Sequence, residues 1–135
     1  SVIEEAFSRA GSFCRREMSR KNLTSMELEQ MQLLLSVLIY PGYSLRSGSD
    51  ILRNNTLGQQ GLWQFGISGD YPLLLVTVDT EDDTTLVYDL LRAHAFWRNR
   101  GLTIDFVILN MKESSYEQNL QDQIHSLISR TGGGY

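Results

Sequence analysis

The residues with most potential for chemistry lie in one stretch, residues 58–79, which reads GQQGLWQFGISGDYPLLLVTVD. Around Ser68, the letters GISGD faintly resemble the turn that presents a nucleophilic serine in hydrolases. That turn needs a strand before the serine and a helix after it. Here an apolar, strand-like run follows the serine instead, so the sequence argues against a serine hydrolase.

The same stretch mixes aromatic rings with planar polar side chains, a combination that binds sugars by stacking and hydrogen bonding. Its members span positions 60–71: Gln60, Trp63, Gln64, Phe65, Asp70 and Tyr71. Glycines at positions 58, 61, 66 and 69 also suit close backbone packing against a neighbouring domain, and we favour that interpretation. Gln60, Trp63 and Asp70 are the candidate contacts in either case.

For two of these residues the sequence predicts a definite environment. We expect Trp63 to be largely buried, or to lie in an apolar patch that further domains cover. We expect Asp70, which precedes YPLLLV, to fix the turn by accepting hydrogen bonds from backbone N–H groups.

A second candidate site lies at the ends of two predicted strands. Ligands of open α/β sheets favour the carboxyl ends of the strands, which places Asp79, Thr80 and Asn110 there. The run DTEDD after the first strand is strongly acidic and would repel a phosphate. The chain also lacks a glycine-rich G-x-G-x-x-G turn and a Walker lysine. The acidic run suits the N-terminus of a helix, which is the simpler interpretation.

Cysteine and histidine chemistry has little support. The single cysteine, Cys14, lies on the apolar stripe of a predicted helix, where an inert, buried thiol is expected. His94 and His125 fall on separate predicted helices and offer too few ligands for a metal. We therefore expect no catalytic residue, no metal and no cofactor in these 135 residues.

The composition sets further limits. A net charge of −4 without clustered lysine and arginine argues against nucleic acid as a partner. No apolar run approaches the roughly 20 residues of a membrane span, so we expect no membrane contact by this chain. The sequence starts without Met inside a predicted helix and stops at TGGGY. We therefore expect a fragment of a longer protein.

The elements that position these residues predict one α/β domain. Residues 1–41 form an N-terminal helical hairpin, whose second helix carries a capping box at Thr24 and Glu27. Residues 42–71 are an irregular, Gly- and Trp-containing segment with one short helix in SDILRNN. Residues 72–135 form a small parallel β-α-β-α layer.

Within that layer, residues 73–78 form a nearly continuous apolar run, typical of a parallel strand buried on both faces. A helix over residues 82–100, capped by Thr80 with Asp83 and stopped at Gly101, leads to a second strand at residues 102–109. The two strands should be adjacent and parallel. Ser114 with Glu117 should cap the last helix.

Three segments carry a resemblance to a known family: RNNTLGQQGLWQFGISGDYPLLLVTVD, LLRAHAFWRNRGLTIDFVILN and SYEQNLQDQIHSLI. With QMQLLLSVLIYPGYSLR upstream, they resemble one region of the cyclic β-1,2-glucan synthases and, more generally, the related 1,2-β-oligoglucan phosphorylases. The resemblance covers about residues 7–134 in one order. Its most specific part, GQ-GLW-ISGD, falls on Gly58, Gln59, Gly61, Leu62, Trp63, Ile67, Ser68, Gly69 and Asp70.

The resemblance implies a large parent enzyme anchored in the bacterial inner membrane, with this domain on the cytoplasmic side. A glycosyltransferase portion of such a parent builds the glucan from UDP-glucose, and a phosphorylase-like portion controls glucan length. This chain resembles an α/β insertion within the phosphorylase-like portion. The phosphorylase's DWND-like acid motif and the glycosyltransferase's aspartate motifs have no counterpart here.

The resulting expectation is a non-catalytic accessory domain of a cyclic β-1,2-glucan synthase-like protein. Its partners are the neighbouring domains of that parent, and β-1,2-glucan is a further candidate ligand. The alternative is a free-standing small α/β enzyme or a carbohydrate-binding module.

Overall fold

A computed structural model describes residues 1–42, 47–111 and 117–132 of the chain, without the side chains of Glu117 and Gln118. The elements in chain order are α1 (Val2–Arg20), α2 (Ser25–Ile39), α3 (Ser49–Asn54), α4 (Gln60–Trp63), β1 (Leu73–Val78), a 3₁₀ turn (Glu81–Asp83), α5 (Thr84–Arg98), β2 (Asp105–Asn110) and α6 (Glu117–Arg130). The predicted order of helices and strands is confirmed. In the described residues, no helix is long and apolar enough to cross a membrane.

The chain divides into two compact units, Ser1–Leu35 and Ser36–Tyr135. The first unit holds α1 and most of α2. Helix α1 ends where Asn22 adopts a positive φ of 49°, a conformation that Asn tolerates better than most residues. The N–H of Leu23 then bonds back to the Met18 carbonyl at 2.8 Å, which closes the helix end as a Schellman motif.

Both N-terminal helices begin as the sequence predicts. The Glu27 carboxylate accepts from the Thr24 backbone N–H at 2.7 Å and from its hydroxyl at 2.8 Å. This is the predicted capping box. The apolar stripe of α1 is largely exposed, including Val2, Ile3 and Phe7. Helical periodicity identifies an apolar face but not what covers it.

The second unit is organised around a two-stranded parallel sheet within the described residues. Leu73 of β1 pairs with Asp105 of β2, and Val78 pairs with Asn110. The predicted first strand is confirmed at both ends, and the second starts three residues later than predicted. Pro72 precedes β1 and the capped turn follows it, so both ends of that strand are marked in the sequence.

Helices α5 and α6 pack together, and the core lies on one side of the sheet. The core cluster comprises Val76, Val78, Val87, Leu91, Leu120 and Ile124. We call the side formed by residues 74, 76, 78, 106, 108 and 110 the covered face. The opposite side, the open face, consists of Leu73, Leu75, Thr77, Asp105, Val107 and Leu109.

The open face corrects one prediction. Strand β1 is not buried on both faces, because Leu73, Leu75 and Thr77 are exposed while Val76 and Val78 are buried. Leu75 is 52% exposed and Val78 is fully buried. An uninterrupted apolar run does not distinguish a strand covered on two faces from one covered on one face.

Glycine ends helix α5 as predicted. Gly101 has a φ of 76°, and the N–H of Leu102 donates to the Trp97 carbonyl at 3.1 Å. The φ value and this bond define a Schellman motif. The predicted capping residue of α6, Ser114, lies outside the described residues.

Candidate functional site

Residues 58–70 form a compact loop around the single turn of α4. The sequence predicted an irregular segment, and the structure adds this four-residue helix to it. Gly66, with a φ of 72°, ends the turn, and the N–H of Ile67 donates to the Leu62 carbonyl at 3.2 Å. This Schellman motif turns the chain back toward the start of the loop.

Gln59 closes the loop through its side chain, although it was not among the predicted contact residues. Its side-chain amide nitrogen donates to the Ser68 carbonyl and to an Asp70 carboxylate oxygen, both at 2.8 Å. The neighbouring Gln60, which was predicted as a contact residue, is exposed on α4. The signal was present in the GQ-GLW-ISGD pattern, which contains Gln59 and does not contain Gln60.

Asp70 has a different role from the predicted one. Among the described residues, its carboxylate accepts from the Gln59 side chain and not from a backbone N–H. The backbone N–H of Asp70 instead donates to the Ser68 hydroxyl at 3.2 Å. Asp70 therefore fixes the loop by pairing with an amide eleven residues earlier in the chain.

Trp63 is 58% exposed, so the prediction that its ring is largely buried is wrong. Its indole N–H donates to the Ser68 carbonyl at 3.2 Å, which holds the ring on the loop surface. Phe65 is 72% exposed and Tyr71 is also exposed. The tryptophan that fills the core is Trp97 on α5, which is only 1% exposed. The other predicted environment, an apolar patch that further domains cover, is compatible with this exposure.

Ser68 ties the loop to the sheet. Its hydroxyl lies 3.5 Å from a carboxylate oxygen of Asp105, the first residue of β2. A serine nucleophile needs a general base to take its proton and a group that orients that base. The described contacts of Ser68 supply a carboxylate and a backbone N–H but no histidine. This geometry agrees with the sequence argument against a serine hydrolase.

A groove of about 510 Å³ runs along this loop. Its lining combines side-chain amides with apolar groups: Asn55, Leu57, Gly58, Gln59, Gly61, Leu62, Gln64 and Phe65. All three amides are already engaged. Gln59 holds Ser68 and Asp70, the Gln64 side chain donates to the Gly61 carbonyl at 3.1 Å, and Oδ1 of Asn55 accepts from the Leu57 N–H at 3.3 Å. The groove therefore presents mainly apolar walls with few uncommitted polar atoms.

The second predicted site is brought together at one end of the sheet but is used for capping. The register places Val78 beside Asn110, so Asp79, Thr80 and Asn110 lie at the same end of the sheet, where both strands finish. The Asp83 carboxylate accepts from the backbone N–H groups of Asp79, at 2.9 Å, and of Thr80, at 2.8 Å. These two bonds lower the pKa of Asp83 below its ordinary value. Thr80 and Asp83 thus form the predicted capping box.

The histidine and cysteine side chains give no metal site. His94 hydrogen bonds through Nε2 to the Ile104 carbonyl at 2.8 Å, just ahead of β2. Cys14 is partly exposed rather than buried as predicted. No group of three or more His, Cys, Asp or Glu side chains with the geometry for a metal ion occurs in the described parts of the chain.

Comparison with known proteins relates the chain to one synthase. It is 33% identical over 111 residues to the cyclic beta-(1,2)-glucan synthase NdvB of Rhizobium meliloti (strain 1021). The similarity covers 82% of this chain and 4% of that protein, so the chain spans a small part of the length of its relative. No family model matches the chain, and no solved structure matches it. The resemblance seen in the residues is confirmed: the chain is related in sequence to one segment of a cyclic β-(1,2)-glucan synthase.

Proposed function

We propose that this chain is a non-catalytic accessory domain of a cyclic β-1,2-glucan synthase-like protein, in which it docks against neighbouring domains. The observation that carries the proposal is the 33% identity to one segment of NdvB. In this proposal the parent makes its glucan from UDP-glucose, and a phosphorylase-like portion controls glucan length. The parent is anchored in the inner membrane, with this domain on the cytoplasmic side.

Three polar side chains of the second unit support a non-catalytic role because they are engaged in structure. Ser68 connects the loop to β2, His94 binds the Ile104 carbonyl, and Asp83 caps the turn after β1. Catalysis requires a nucleophile or base, an orienting group and space for a substrate in one place. The described residues do not assemble such a set.

The exposed apolar side chains support a docking role. The open face presents Leu73, Leu75 and Leu109 to solvent, and the loop presents Trp63 and Phe65. Contiguous exposed apolar surface on a small domain usually marks a site of interaction with another protein surface. Sheets made only of parallel strands are also normally covered on both faces. Neighbouring domains of the parent are therefore the proposed partners.

The test is glucan synthesis by the full-length protein whose gene contains this sequence. Ser68→Ala and Asp79→Asn, which alter the two polar candidate sites, should keep the rate of UDP-glucose turnover per folded molecule within about threefold of wild type. Leu75→Glu on the open face should lower the amount of assembled enzyme without changing KM for UDP-glucose. The melting temperature of each isolated domain variant controls for folding. A polar variant that folds normally but abolishes turnover contradicts the proposal.

A carbohydrate-binding module is the second candidate, favoured by the exposed rings of Trp63 and Phe65 beside the amide-containing groove. Titration of the isolated chain with β-1,2-glucooligosaccharides, followed by tryptophan fluorescence, tests it. The buried Trp97 serves as an internal reference, because a ligand on the loop should alter Trp63 emission alone. Saturable binding that vanishes in Trp63→Ala, at an unchanged melting temperature, would favour the module over the accessory domain.

A further inference from the structure

The outer edge of β2 pairs with no strand in the described residues. The side chains beside that edge on the covered face are less buried than those of β1. Phe106 and Ile108 pack against the core cluster but are only half-buried, whereas Val76 and Val78 on the same face of β1 are buried. A groove of about 230 Å³ lies between β2 and α6. Its lining is Phe106, Ile108, Asn110, Gln121, Ile124, His125 and Ile128.

The backbone of β2 adds a second, independent feature at the same place. The N–H of Asp105 donates to the Pro72 carbonyl at 2.9 Å, and the N–H of Met111 donates to the Val78 carbonyl at 2.8 Å. Residues that bond to one neighbouring strand alternate with residues whose N–H and C=O groups point away from it. Phe106 and Ile108 therefore direct their backbone groups away from β1, along an edge that pairs with no other strand in the described residues.

The size and lining of this groove suit a peptide better than a small molecule. The groove is smaller than the roughly 300–1,000 Å³ of sites that hold small molecules. Its apolar floor and its polar rim of Asn110, Gln121 and His125 suit alternate apolar side chains of an extended peptide. An exposed sheet edge recognises such a peptide through main-chain hydrogen bonds, and adjacent pockets take every second side chain.

We propose that an extended, alternately apolar segment of the same synthase polypeptide adds to the edge of β2 as a third strand and seats its side chains in the β2–α6 groove. The inference rests on the proposed function, since the occupant belongs to the parent protein. The similarity to NdvB leaves most of that relative's length outside the matched segment, which supplies ample chain for such a strand. A strand about as long as β2, roughly six residues or 20 Å, completes the edge.

A strand added to this edge would also enlarge the sheet and pair the free edge of β2. This two-stranded sheet is stabilised by packing against α5 and α6 on its covered face, and a third strand would extend it. Unpaired edges are a hazard that native proteins normally cover or pair. The added strand would hydrogen bond to the backbone of Phe106 and Ile108 and cover the part of their side chains that is still exposed.

Amide hydrogen exchange followed by mass spectrometry tests the proposal on the isolated chain and on the full-length protein. The fast-exchanging amides of β2 should exchange at least about tenfold more slowly in the full-length protein, because pairing protects them. His125→Trp fills the groove from an exposed position and should restore fast exchange. Ser126→Trp is the matched control, since Ser126 is exposed on the same helix but does not line the groove. The melting temperature of each isolated variant verifies folding.

Several outcomes overturn the proposal. Equal exchange of β2 in the two proteins shows that no strand covers the edge, and slowing that persists in His125→Trp shows that the groove is not used. Slowing in the isolated chain that grows with its concentration identifies a second copy as the occupant. If amide exchange slows only in β1, the added strand pairs with the outer edge of β1 and not with β2. Each of these results leaves the proposed function standing if Leu75→Glu still impairs assembly of the synthase.

Discussion

At the scale of single residues, two glycines with similar backbones and different surroundings shape the loop of residues 58–70. Gly66 and Gly69 both have positive φ values, 72° and 76°. A Cβ on Gly66 would meet no atom within 4 Å, whereas a Cβ on Gly69 would lie 2.8 Å from Cγ of Gln59. Gly69 therefore has a steric role in addition to its backbone role, because Gln59 needs that space to reach Ser68 and Asp70.

Gly66→Ala and Gly69→Ala should separate these two roles. Gly66→Ala should reduce the free energy of unfolding by about 1–2 kcal/mol, the usual cost of a left-handed L-residue. Gly69→Ala should cost about 1 kcal/mol more, since Gln59 must also move and lose its hydrogen bonds. Urea denaturation of the isolated chain measures both values. Equal losses in the two variants would contradict the proposed role of Gln59 as the residue that closes the loop.

Asp83 provides a prediction about pH. Hydrogen bonds from the backbone of Asp79 and Thr80 lower the pKa of Asp83 in the folded protein below its ordinary value of 3.8. The stability that its carboxylate contributes is therefore present above that value and is lost as the pH falls through the lowered pKa. As the pH falls below about 5, Asp83→Asn should show a shallower fall in unfolding free energy than the wild type.

The matched control for that prediction is Asp82→Asn. It removes one negative charge from the same turn but keeps the Asp83 hydrogen bonds to Asp79 and Thr80. Its pH dependence should stay closer to that of the wild type. Chemical denaturation at a series of pH values measures all three proteins. Identical profiles for the two variants would show that total charge, rather than the cap, sets the acid sensitivity.

At the scale of elements, the sequence predicts those features whose signals are local. The limits of β1 follow from Pro72 and from the capping box after the strand, and the end of α5 follows from Gly101. The environment of a side chain depends instead on distant parts of the chain. Trp63 and Trp97 are equally apolar residues, yet only Trp97 is buried. The sequence likewise could not reveal that β1 has one open face.

Neighbouring positions in β1 test that one-sided burial. Leu75 lies on the open face and Val76 on the covered face. Leu75→Ala should change the unfolding free energy of the isolated chain by less than about 1 kcal/mol, although it removes more atoms. Val76→Ala should cost roughly 1–3 kcal/mol, since it leaves a cavity in the core. Thermal and urea unfolding measure both, and a larger loss for Leu75→Ala would contradict the assignment of the open face.

At the scale of the whole molecule, the open face, the exposed rings of Trp63 and Phe65 and the groove beside β2 are the surfaces against which, in the proposed function, further protein packs. The interior of the second unit is well formed, with Trp97, Leu120, Val78 and Val87 almost fully buried. The exposed apolar residues are therefore not signs of a missing core. They are the surface through which, in the proposed function, this domain joins a glucan synthase.

Hydroxyl-radical footprinting tests that central claim most directly, because it compares side-chain exposure in the isolated chain and in the full-length protein. The account predicts that Trp63, Leu75 and Leu109 are modified readily in the isolated chain and are protected in the full-length protein. Glu5 and Arg9, exposed polar positions on α1, are useful references outside the proposed surface. Equal modification of Trp63, Leu75 and Leu109 in the two proteins would contradict the account, since it would show that no neighbouring domain covers them.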